Sequence, residues 1–96
     1  MTQYLLLIQN NAKTQATPGE WDRFFNTARA SGTFEGGSAL GDRVLVGDTQ
    51  SALSTRHIAG YMRFDSDDRG EILELLKQHP VGLHGGSVEL CEMPTT

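Results

Sequence analysis

Five consecutive apolar residues, Tyr4-Leu5-Leu6-Leu7-Ile8, are bounded by glutamines and read as a strand covered on both faces, which places it centrally in a sheet. The polar stretch from Asn10 to Ala16 reads as a loop. Thr17-Pro18-Gly19-Glu20 then predicts a helix start: Thr caps the open N–H groups, Pro fits the first helical position and Glu closes a capping box. Trp21, Phe24, Phe25 and Ala28 follow at helical spacing as a core face, with Gly32 placed to end the helix. The glycine-rich run Glu35 to Gly41 fits no phosphate-loop pattern and reads as a turn. A short strand is predicted from Arg43 to Gly47, with Val44 and Val46 on one face, followed by a polar connection from Asp48 to Thr55. His57 to Phe64 alternates cleanly, with Ile58, Gly60, Met62 and Phe64 on one side and His57, Ala59, Tyr61 and Arg63 on the other. Asp68 with Glu71 repeats the capping-box pattern ahead of Ile72, Leu73, Leu75 and Leu76, a second amphipathic helix that ends near His79-Pro80. A last strand runs from Ser87 to Met93.

The order β-α-β-β-α-β predicts an α+β fold of ferredoxin-like type with an antiparallel sheet. Two helices cover one face of a four-stranded sheet, yet the first strand is apolar on both, so the second face is expected to be covered by something else. A chain of 96 residues is one domain, residues 1–96, small enough that burial against a partner helps it. Together these features point to a homodimer.

Charge and composition narrow the function classes. A net charge of -4 with scattered basic residues argues against a nucleic-acid partner. The apolar run is too short for a membrane span and carries no targeting features, so a cytoplasmic location is expected. Cys91 has no intrachain disulfide partner and reads as a small strand residue in the core or interface. His57, His79, His84 and Cys91 show no metal-ligand spacing, and neither a metal nor a cofactor is expected; His79 before Pro80 fits a helix C-terminus, where an imidazolium is favoured.

Four segments taken in order resemble the YCII-related family on its DGPF branch: Tyr4-Leu5-Leu6-Leu7-Ile8, His57-Ile58-Ala59-Gly60-Tyr61-Met62-Arg63-Phe64-Asp65, His79-Pro80, and Gly85-Gly86-Ser87-Val88-Glu89. The resemblance covers nearly the whole chain. It implies a dimeric α/β barrel in which two sheets enclose a cavity, and an enzymatic role argued from a histidine and an aspartate. The helix that would hold that histidine reads Glu20-Trp21-Asp22-Arg23-Phe24-Phe25 and contains none, and the DGPF position reads Asp48-Thr49-Gln50-Ser51, where only the aspartate matches.

The face of the third strand turned away from the helices carries His57, Tyr61 and Arg63, with Asp65 next in the alternation, and the last strand adds Glu89. With a partner sheet over it, this set forms a ligand-binding cavity in which Arg63 offers a donor fork to an anion and His57 exchanges protons near neutral pH. Two readings follow: a binding module for a small anionic metabolite, or a small-molecule enzyme using His/Asp acid-base chemistry in the same cavity. A third possibility is purely structural, with Arg63, Asp65 and Glu89 satisfying one another across the interface. The absent helix histidine favours binding.

Overall fold

The computed structural model describes residues 2–95 as an α+β domain with a four-stranded antiparallel sheet and three helices. The elements are β1 (Thr2–Gln9), α1 (Pro18–Ala30), β2 (Phe34–Ala39), β3 (Ile58–Ser66), α2 (Arg69–Leu76), α3 (Pro80–Leu83) and β4 (Val88–Met93). The sheet order is β2-β3-β1-β4, which puts the apolar β1 in the interior.

Alternation decides which side of the sheet the helices take. Tyr4, Leu6 and Ile8 of β1 and Met62 and Phe64 of β3 are buried and form one core with Phe24 and Ala28 of α1. Ile72 and Leu75 of α2 and Val81 of α3 complete it. The intervening residues Leu5, Leu7, Ala59, Tyr61 and Arg63 lie on the other side, which carries no helix among the described residues.

Helix α1 begins as its sequence predicts. Thr17 Oγ1 accepts from the Glu20 N–H at 3.2 Å while Glu20 Oε1 accepts from the Thr17 N–H at 3.1 Å, a reciprocal capping box behind Pro18. It closes at Ser31 and Gly32, whose φ of +76° is the left-handed conformation that glycine adopts without strain. At α2 the capping box is not reciprocated. Asp68 Oδ1 accepts from the Gly70 N–H at 2.9 Å, but the Glu71 carboxylate takes the Ser66 hydroxyl instead, and that hydroxyl oxygen accepts from the Asp68 N–H. Leu73, expected in the core, is turned to solvent.

Three further expectations are corrected. The glycine-rich run is not a turn: Phe34–Ala39 is strand β2, with Gly36 opposite Arg63 and Gly37 opposite Met62. The segment 43–47 is not a strand; it pairs with no strand among the described residues, and Val44 and Val46 stand 85% and 91% exposed on a projecting arm between β2 and β3. The arm is held at its base by the Arg43 guanidinium, which donates to the carbonyls of Thr55 and Ile58. His79, finally, is no C-terminal imidazolium. It is the N-cap of α3, fully buried, and its Nδ1 accepts from the Val81 N–H at 3.1 Å. The aromatic residues of α1 also divide: Phe24 is buried, whereas Trp21 and Phe25 are half-buried. Among the described residues no helix is long and apolar enough to cross a membrane.

Candidate functional site

On the helix-free face the strand registers place side chains in rows. Ser38, Tyr61, Leu7 and Glu89 form one row, and Gly36, Arg63, Leu5 and Cys91 the next. Asp65, Gln3 and Met93 make a third. The centre is apolar and half-buried at Leu5, Leu7 and Cys91, with charged groups around it. Arg63, Asp65, Gln3, Glu35 and Met93 line a shallow concavity of about 90 Å³. Arg63 is exposed, and its guanidinium reaches the Glu35 carbonyl at 3.4 Å. Asp65 Oδ1 is shielded from solvent and meets no hydrogen-bond partner among the described residues. A buried acceptor without a donor is costly, so this oxygen is suited to a group from outside the chain.

The structure thus brings together Arg63 and Asp65 in one concavity, while Tyr61 shares their face one row further along β3 and lies outside that concavity, and the rest of the predicted set is more distant. His57 precedes β3 and is exposed. At a strand rise of ~3.3 Å per residue it stands roughly 20 Å from Arg63 and roughly 26 Å from Asp65. Glu89 is in the Tyr61 row with β1 between them, about 9.6 Å away at the usual strand spacing.

Two recesses lie elsewhere. The larger, about 560 Å³, opens between α1 and the β2–β3 half of the sheet; Trp21, Phe25 and Phe34 line it, Gly37 and Gly60 contribute to its lining, and Arg29 stands among its residues. Neither glycine admits a side chain: a Cβ at Gly37 would collide with the Tyr61 carbonyl oxygen, and one at Gly60 would sit 2.8 Å from that of Ser38. The second, about 470 Å³, lies beside the β1–α1 loop and includes Thr14, Trp21 and His84. There Thr14 Oγ1 and His84 Nδ1 are 2.7 Å apart, and His84 Nε2 and Glu20 Oε2 are 2.7 Å apart. The hydrogen bond from His84 is the main reason that the Glu20 carboxyl is held below its usual pKa, reinforced by its capping bond to Thr17. Because Glu20 is already fixed as a cap, this chain ties the β1–α1 loop to the turn before β4. His84 and Glu20 are 64 residues apart, so the pairing carries no local sequence signal.

Among the described residues no group of three or more His, Cys, Asp or Glu side chains is placed to hold a metal ion. Asp48, at the DGPF-like position, lies on the arm, where its carboxylate accepts from the Gln50 N–H and the Ser51 hydroxyl; the latter chiefly lowers its pKa.

Comparison with known proteins finds no matching family model and no matching curated protein. Among solved structures, the ensemble-refined crystal structure of At3g17210 from Arabidopsis thaliana aligns over 100% of this chain and 96% of its own, at 12% identity and a TM-score of 0.44. A likeness at that level assigns no function.

Proposed function

We propose that the protein is a ferredoxin-like domain of the YCII/DGPF kind that pairs through its helix-free sheet face into a dimeric α/β barrel and binds a small anionic metabolite at Tyr61, Arg63 and Asp65. The observation that carries this reading is the make-up of that face: an apolar centre at Leu5 and Leu7 ringed by Arg63, Asp65 and Glu89, in which Arg63 supplies the fork for the anion and the shielded Asp65 Oδ1, unpartnered among the described residues, is left to accept from a donor group of the ligand or of the partner copy. A face with charges of both signs around an apolar centre is compatible with pairing to a second copy about a two-fold axis. Strand order and antiparallel pairing support the fold part of the reading.

Binding is favoured over acid-base catalysis because His57 and Asp65 are separated by most of the length of β3 and cannot share a proton within one chain. The ligand-contacting set is therefore smaller than alternation alone suggests. The test is a thermal-shift screen of small carboxylates and phosphate esters followed by calorimetry. A confirmed ligand is expected to bind Arg63→Ala more than about tenfold more weakly, with the oligomeric state unchanged. Equal affinity for Arg63→Ala would rule out this face as the site.

A further inference from the structure

The recess between α1 and the β2–β3 edge has a physical origin in what its floor lacks. Gly37 and Gly60 present no side chain, Ala39 presents a methyl, and the strand backbones stand too close at both glycines for either to be enlarged. Side-chain packing beneath the helix is therefore thin at this end of the sheet. Trp21 and Phe25, which the sequence pattern places wholly in the core, are left half-buried along the wall.

That wall is aromatic. Trp21 and Phe25 stack with ring centroids 5.8 Å apart and planes 27° from parallel, and Phe34 follows at 5.9 Å from Phe25. The charge is one-sided: among the described residues Arg29 is the sole ionised side chain in the lining. Its guanidinium lies 5.6 Å from the Phe25 ring centroid, and no carboxylate pairs with it among the described residues. The volume of about 560 Å³ falls inside the ~300–1,000 Å³ typical of small-molecule sites.

We propose that this recess is a second binding site, one that takes a flat aromatic carboxylate: the ring system lies against Trp21, Phe25 and Phe34, and the carboxylate meets the Arg29 fork. Flat walls favour an aromatic body over an aliphatic one. A guanidinium already seated on a ring is oriented at little further entropic cost and presents paired donors to a carboxylate. A cationic ligand finds no counter-charge in the lining. The site opens between the helix and the sheet and shares Tyr61 with the other proposal, but its charge anchor is Arg29 rather than Arg63, so variants at these two arginines test the two proposals separately.

Trp21 is the single tryptophan of the chain and lines this wall; it also borders the recess beside the β1–α1 loop, and the variants at Arg29 and Ala39, which line only the first, separate the two. The experiment titrates the intact protein with 2-naphthoate and with its neutral isostere 2-naphthamide, following Trp21 fluorescence and confirming by calorimetry. Saturable quenching is expected, with the acid binding at least about tenfold tighter than the amide. Arg29→Gln, a substitution at an exposed position that is expected to shift the melting temperature little, is expected to abolish that preference, and Ala39→Leu, which fills the recess, to weaken both probes. The proposal is overturned if acid and amide bind alike, if Arg29→Gln keeps the preference, if Ala39→Leu leaves both affinities intact, or if neither probe saturates because the arm between β2 and β3 occupies the recess in solution.

Discussion

His79 is enclosed by aromatic rings, edge-on to Trp21 at 5.2 Å and to Phe24 at 4.7 Å between centroids, and this environment sets its charge. Its Nδ1 accepts from the Val81 N–H, which places the ring proton on Nε2, an atom with no hydrogen-bond partner among the described residues. A second proton would cost the cap of α3 and put a charge among apolar groups, so burial pushes the pKa from 6.5 down to about 4. The unfolded chain therefore takes up a proton near pH 6.5 that the folded chain refuses until about pH 4. The neutral ring's contribution is complete above that window and is lost as pH falls through it, by about 3 kcal/mol in all. Glu20, held below its usual value, adds a loss in the same direction at lower pH. Denaturant midpoints followed from about pH 7.5 to about pH 4 are expected to fall, and His79→Asn, which retains a capping oxygen without the titration, is expected to flatten the fall by about one proton. A wild-type midpoint that is flat across the window contradicts this assignment.

At the scale of elements, β2 shows how glycine can make a strand rather than break one. The backbones of β2 and β3 approach so closely that a Cβ at Gly37 would collide with the Tyr61 oxygen and lie 2.9 Å from the Met62 Cα. Gly37→Ala is expected to cost about 1–3 kcal/mol through forced separation of the two strands and to release the β2 amides to hydrogen exchange while β1 stays protected. Gly41, where an added methyl would meet nothing within 4 Å, is the control: Gly41→Ala is expected to stay within about 0.5 kcal/mol of wild type. The same contact explains why β2 is hidden in the sequence. Strand propensity rewards Val44 and Val46 and penalises Gly36 and Gly37, because it scores side-chain packing and is blind to how near another strand will come. Helix α1, by contrast, is legible from Thr17 to Gly32, since capping depends on residues three apart that meet in any helix. His79-Pro80 is ambiguous for a local reason: the pair ends one helix, but the proline equally begins another, and His79 caps that one.

For the whole molecule, alternation correctly separates the helix-packed face from the open one, because side-chain period depends on strand geometry alone. It does not convey distance along the strand, which removes His57 from the Arg63 and Asp65 neighbourhood, nor the recess beside α1, which arises where side chains are missing. The remaining consequence concerns the open face itself. Leu5 and Leu7 occupy its centre with no layer over them among the described residues, and a second copy would bury them. Sedimentation equilibrium of the wild type beside Leu7→Lys tests this most directly. The account expects twice the mass of one chain for the wild type at micromolar concentration and a shift to single chains for Leu7→Lys with its helical circular dichroism retained; a wild type that sediments as a single chain at that concentration contradicts it.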